Sequence, residues 1–338
     1  MRFAHQAPGL QHPWTRLAPL GALCALLAFC ATGAQAQAQA PTPGKHITKG
    51  LAEVVVENLY KCPVKVDNHR ISAVGRITAL DGTVIKVPAE TAYERKAGPA
   101  AADLYNECTG VMPAEADVSA DKVPVVEVDA DGEVVTGYIV ADNYFELYIN
   151  GKLVAVDNTP YTPFNASIVK FKAKKPYTYA FKLVDWEEVM GRGSEMMRGD
   201  PLYLGDGGLI ARFSDGTVTD STWKAQAFYI GPLNDPSEVK EKGTLHDTTA
   251  LGRVHPHDKA PTCGKECYAI HYDIPADWAA ARFDDSRWPR AYEFTDEDVG
   301  VTALPAYTRY PKLFEGSRWI WSLNLVFDNV VIARKTVR

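Results

Sequence analysis

The sequence predicts an all-β chain, an antiparallel β-sandwich preceded by a small N-terminal β extension. Three observations predict it. Short runs of β-branched and aromatic residues recur along the chain, as in "YTYAFKLVDW", "CYAIHYDI" and "SRWIWSLNLVFDNVVIARKTVR". Asp-Gly, Asn-Gly, Gly or Pro breaks separate these runs, which is strand punctuation. After Ile47 no long segment keeps an apolar spacing of 3.6 residues, so a helical or alternating α/β body is not expected.

The first forty residues carry Arg2 and Arg16, no acid, an apolar run from Leu17 to Ala31, and A-x-A tripeptides around Ala34, Ala36 and Ala38. This is the pattern of a secretory signal peptide over residues 1–36. The apolar run falls short of the roughly 20 residues a bilayer span needs, so no integral span is expected in the mature chain. The formal net charge is −6, and loss of the two arginines makes it more negative. Nucleic acid and anionic membranes are poor partners for that balance. Cys62, Cys108, Cys263 and Cys267 remain, an even number in an exported chain, and two disulfides, Cys62–Cys108 and Cys263–Cys267, are expected. The compartment is expected to be the periplasm or the outside of the cell.

Residues 37–51 form an Ala/Gln/Pro/Gly linker expected to be flexible. Residues 52–122 form the extension, with "AEVVVENLY" and "RITALDGTVIKV" as strands and Asp81-Gly82 as a hairpin turn. The sandwich follows over 123–338. "EVDADG" begins like an EF-hand calcium loop, but Tyr138 stands where a bidentate Glu is needed, so a hairpin turn at Asp131-Gly132 is the better reading. In "DNYFELYINGKLVAV", a two-residue turn at Asn150-Gly151 sets Ile149 opposite Lys152, Leu147 opposite Val154 and Phe145 opposite Val156. One face of that hairpin is then apolar.

Five segments, "ADNYFELYINGKLVA", "NASIVKFKAKKPYTYAFKLVDW", "GGLIARFSDGTVTDSTWKA", "ARFDDSRWPRA" and "RWIWSLNLVFDNVVIARK", together resemble the galactose-binding-domain-like jelly-roll module. Such modules are appended to bacterial glycoside hydrolases, α-L-rhamnosidases among them. The resemblance covers about 123–338 and implies a jelly-roll sandwich, with carbohydrate binding as one of the fold's several uses. Two departures stand out. Arg318–Ser322 lies near the C-terminus rather than opening the domain, and about 232–265 is an insertion holding His246, His255 and His257.

Carbohydrate recognition calls for an exposed aromatic ring and nearby carboxylates or amides. Trp186 is the first candidate for exposure, because it ends a strand and precedes the polar, Gly-rich loop "EEVMGRGSEMMRGD", which carries Arg192, Glu195, Arg198 and Asp200. Asp142, Asn143 and Tyr144, ahead of the hairpin strand, form a second candidate edge. In "VHPHDKAPTCGKECYAIHYD", the Cys-x3-Cys spacing is expected to close as a staple. His246, His255, His257 and His271 remain as an alternative copper or zinc site. A structural calcium near "GDGG", Gly205–Gly208, is a further possibility without a full ligand pattern. No G-x-S-x-G elbow, P-loop or H-E-x-x-H motif occurs. The expected function is therefore non-catalytic recognition of a carbohydrate or small polar ligand. Periplasmic metal handling, or assembly through self-associating edge strands, are the alternatives.

Overall fold

The computed structural model describes residues 44–66, 70–161, 165–197, 200–254 and 261–338, and the side chains of 196–203 lie outside that description. The expected signal peptide and the linker up to residue 43 fall outside the described residues, as do Arg198, His255 and His257.

The chain enters as β1 (Lys45–Lys49), then builds β2 (Glu53–Val56), β3 (Val74–Thr78) and β4 (Val84–Val87), a three-stranded sheet of its own. The β3–β4 connection turns through Asp81-Gly82, where Gly82 holds φ at +89°, a conformation that a Cβ disfavours. β5 (Ala102–Asn106), β6 (Val126–Glu127), β7 (Glu133–Asp142), β8 (Tyr144–Ile149), β9 (Lys152–Val156), β10 (Asn165–Ala173) and β11 (Tyr177–Val184) follow. Then come the small pair β12 (Glu195–Met197) and β13 (Asp200–Tyr203), the long β14 (Gly208–Phe213) and β15 (Lys224–Leu233), and a second small pair, β16 (Lys240–Lys242) and β17 (Leu245–Asp247). β18 (Tyr268–Tyr272), β19 (Tyr292–Phe294), β20 (Trp319–Trp321) and β21 (Asp328–Val337) complete the chain. Among the described residues the α-helix is limited to the single turn Pro305–Thr308.

Two antiparallel sheets carry the fold, ordered β1-β18-β15-β21-β11-β8-β9 and β19-β20-β14-β7-β10-β5, as the alternating strand patterns predict. Their inner faces meet through aromatic rings: Tyr179 of β11 lies 5.7 Å from Phe171 of β10 and 4.3 Å from Phe213 of β14, centroid to centroid. Each such ring removed from water contributes about 1.5–3 kcal/mol. The outer face of the first sheet is also covered. Glu146 on β8 accepts from the backbone of Ala92 at 2.6 Å, and Arg334 on β21 bonds Asp285 at 2.8 Å. Charges that an alternating pattern would send to solvent are thus sealed beneath the 89–97 and 275–290 segments.

Four expectations need correction. β1 lies within the predicted linker, because His46–Lys49 alternate well enough to pair with Tyr268–His271 along the sheet edge. β5 leaves the extension to pair with β10, so the extension and the sandwich share a sheet. β6 runs parallel to β10 rather than forming a hairpin with β7, although Asp129 and Gly132 do close a turn there. In the Asn150-Gly151 hairpin, Ile149 faces Lys152 as expected, but a bulge sets Leu147 opposite Ala155 and Glu146 opposite Val156. Phe145, Leu147, Val154 and Val156 are nonetheless all buried. Both expected disulfides are present, Cys62–Cys108 and Cys263–Cys267, and they suit an oxidising compartment. No helix among the described residues is long and apolar enough to cross a membrane.

Candidate functional site

Asp142 ends β7, where its partner across the sheet is Gly208 of β14, and Asp185 follows β11 directly. Both strands finish at the same end of the sandwich. Asn143 locks the two together: its backbone N–H donates to Val184, its Nδ2 to Asp142 Oδ1 at 2.6 Å, and its Oδ1 accepts from the backbone of Trp186 at 2.6 Å. Glu195 opens β12, and Asp206 sits in the turn before β14. Glycines let that turn approach closely, since a Cβ on Gly205 would stand 2.9 Å from Glu195 Cγ and one on Gly207 would strike the Trp321 ring.

The result is a buried acidic cluster. Asp142 and Asp185 are 2% and 3% exposed. Asp142 Oδ2 and Asp185 Oδ1 accept no hydrogen bond among the described residues, whereas buried polar atoms normally find a partner. The carboxyl of Asp206 lies within interaction range of Asp142 and adds to the rise of its value. Among the described residues Arg70 brings a cation to the cluster: its Nη1 donates to Glu195 Oε2 at 2.6 Å and to the Tyr161 hydroxyl at 3.0 Å, with Glu188 4.0 Å away.

Burial first, then the charges of neighbouring carboxylates, holds Asp142 and Asp185 well above the ordinary carboxyl range. Burial also raises Glu195 to about 7, against the pull of Arg70. Glu187 is pushed up to about 7 by burial too, although it accepts from Gly193 N–H at 2.5 Å and from the Tyr229 hydroxyl at 2.9 Å. Strongly raised carboxyls gathered at one end of a fold are a common mark of a working site.

The structure places the sequence candidates unevenly. Trp186, expected at the surface, is fully buried: its indole N–H donates to the Ala73 carbonyl at 2.9 Å and its ring meets Tyr144 edge-on at 6.0 Å. The extension covers the strand end and converts an expected platform into core. Tyr144 is buried with it, its hydroxyl accepting from Tyr93 N–H at 3.0 Å. Arg192 is 1% exposed and donates to Ser194 Oγ and to the Gly264 carbonyl, inside the Cys263–Cys267 loop. Asp142 and Asn143 do belong to the cluster, and so does Asp206 of "GDGG". Arg70, Tyr161 and Asp185 were missed. Asp185, a carboxylate at the very end of an apolar strand, was findable, but Arg70 and Tyr161 carry no local signal.

The two described histidine candidates, His246 and His271, do not come together. His271 stacks on Tyr229 at 4.2 Å, while His246 stacks on Tyr272 at 3.4 Å. Adjacent residues of a strand point to opposite faces, so Tyr272 and its stacked His246 lie across β18 from His271. Burial lowers His271 to about 3 and His246 to about 4. Among the described residues, no group of three His, Cys, Asp or Glu side chains is placed to hold a metal ion, calcium at "GDGG" included. Comparison with known protein families, curated proteins and solved structures gives no match.

Proposed function

We propose that the chain is an exported, non-catalytic binding protein that takes a carbohydrate, or another small ligand rich in hydroxyls, at the acidic end of its sandwich. The observation behind this reading is the pair of buried carboxylate oxygens, Asp142 Oδ2 and Asp185 Oδ1, that accept no hydrogen bond among the described residues, beside the Arg70–Glu195 ion pair. Acceptors without donors are complemented by hydroxyl groups, and Arg70 supplies donors for a ligand's oxygens. The five segments that resemble galactose-binding-like jelly-roll modules, and the two disulfides of an exported chain, support the same reading. Trp186 plays no direct part in it. A glycan array followed by calorimetry tests it: the wild type binds a defined set of sugars, and Arg70→Met and Glu195→Gln, folded by circular dichroism, bind at least roughly tenfold more weakly. Absence of any sugar binding, or equal binding by both variants, contradicts it.

A second reading rests on Glu195 alone. A carboxyl held near 7 next to other carboxylates is the pattern of a glycosidase general acid. Release of reducing ends from a bound sugar, abolished in Glu195→Gln, would favour hydrolysis over binding.

A further inference from the structure

Sugar recognition calls for an aromatic ring that solvent can reach, and the described tryptophans differ sharply in this respect. Trp186, Trp223, Trp288, Trp319 and Trp321 are buried. Trp278 is half-buried, and it packs edge-on against Tyr148, itself half-buried, with ring centroids 5.0 Å apart. The two rings meet on the outer face of the sheet that holds β8, between the covering segments 89–97 and 275–290. The Tyr148 hydroxyl donates to Glu146 Oε2 at 2.7 Å, which fixes the phenol on a buried carboxylate. Tyr148 lies four residues along β8 from Tyr144, roughly 13 Å at the rise of a strand, so this place is separate from the acidic end.

Both covering segments are pinned to the sheet. Arg334, 1% exposed, bonds Asp285 at 2.8 Å through Nε, and its two terminal nitrogens donate to the carbonyls of Trp278 and Ala280. The turn that carries Trp278 is closed by Trp278 N–H on the Pro275 carbonyl at 3.1 Å and by Ala280 N–H on the Asp277 carbonyl at 2.9 Å. On the other side, Ala92 N–H donates to Glu146 Oε1 at 2.6 Å, and Lys182 of β11 holds the Glu90 carbonyl. A buried guanidinium and a buried carboxylate thus set both walls in place, which lowers the ordering cost of binding.

The rim is polar. Arg95 Nη1 pairs with Glu90 Oε1 at 2.9 Å, yet the two side chains keep 47% and 57% of their surface exposed, and the charge of Arg95 reaches both Tyr148 and Glu146. The same two segments expose Lys96, Asp277 and Asp284. An apolar protein surface would strip water from these charges without pairing them. A sugar suits them better, because its ring offers a face of C–H groups to an aromatic side chain and a rim of hydroxyls to charged donors and acceptors.

We propose that this groove is a sugar platform: a pyranose ring of a glycan lies against Trp278 and Tyr148, and its hydroxyls bond Glu90 and Arg95. The inference rests on the class of ligand proposed above and not on the acidic end.

Calorimetry on the mature chain with short oligosaccharides of glucose, galactose, mannose and xylose tests the platform, together with iodide quenching of tryptophan fluorescence. The wild type is expected to bind at least one of these sugars, and the bound sugar to shield the tryptophan that iodide reaches. Trp278→Ala weakens that binding at least roughly tenfold. The double variant Glu90→Gln with Arg95→Met does the same, and because it removes only an exposed ion pair it keeps its fold if Trp278→Ala does not. Equal binding by these variants, or bound sugar that leaves the iodide-accessible fluorescence unchanged, overturns the platform. Binding lost in the Trp278 and Glu90/Arg95 variants but kept in Arg70→Met and Glu195→Gln supports the platform and sinks the acidic end. The opposite pattern sinks the platform and keeps the acidic end, and no binding of any sugar by the wild type overturns both.

Discussion

Trp186 sits where a strand end meets a polar loop, and in sequence that position is ambiguous between platform and core. Covering by residues some 110 positions earlier decides it. Trp186→Ala is expected to cost about 3–5 kcal/mol by urea denaturation, the range for truncating a buried large aromatic; a cost below about 1 kcal/mol would return Trp186 to the surface. Glu195 behaves differently. Its folded value is raised, so its stabilising contribution is fully present below its ordinary value of 4.5 and is lost as pH rises through about 7. Glu195→Gln should therefore remove roughly 3 kcal/mol of pH dependence from the unfolding free energy across that window. Denaturation curves for both proteins at several pH values check this, and parallel pH profiles would contradict it. Neither residue's environment was legible locally, because each is set by partners far away in the chain.

Among the elements, the Asn150-Gly151 hairpin was the most legible, its turn fixed by φ of +51° and +86°. Its bulge was not, since nothing in "KLVAV" marks which residue is extra. β1 was hidden in a stretch whose composition suggested a linker. Its His46 sits between Asp81 on the β3–β4 turn at 2.7 Å and Asp273 after β18 at 3.3 Å. The hydrogen bond to Asp81 raises its value most, burial opposes it next, and the hydrogen bond and charge of Asp273 add to the rise. The clasp thus stabilises below the ordinary histidine value of 6.5 and weakens as pH rises through the raised one. Proton-detected titration of His46 should show this upward shift, and Asp81→Asn should reduce it. The Cys263–Cys267 loop is a second tie, because Arg192 bonds the Gly264 carbonyl within it. Replacing both cysteines with serine is expected to cost about 2 kcal/mol by loop entropy and to loosen the Glu187–Glu195 segment in hydrogen exchange. A loss confined to global stability would mean that the loop and that segment are uncoupled.

At the scale of the whole molecule, two sheets and two disulfides followed from alternation, turn dipeptides and cysteine count, whereas the third layer over the outer face did not. That layer hides Glu146 and Arg334, whose charges look solvent-facing in sequence. The candidate site was half legible: Asp142 and the loop after Trp186 were singled out, but their meeting with Asp185, Asp206 and Arg70 depends on where strands end. Burial raises six described carboxyls, Asp142, Asp157, Asp185, Glu187, Glu195 and Asp328, and it lowers two histidines, His246 and His271. The carboxyls stabilise the fold at low pH and lose that contribution as pH rises through about 7 for Asp157, Glu187, Glu195 and Asp328. The histidines work the other way, losing theirs progressively as pH falls from 6.5 to about 4 for His246 and to about 3 for His271. The carboxyls outnumber them, so the protein should be more stable near about pH 5 than near about pH 8. The central claim is that the acidic end of the sandwich takes a hydroxyl-rich ligand, and calorimetry with sugars selected on a glycan array, wild type against Arg70→Met and Glu195→Gln, tests it most directly. Binding by the wild type that weakens at least roughly tenfold in both folded variants is predicted; no sugar binding, or equal binding by both variants, would contradict it.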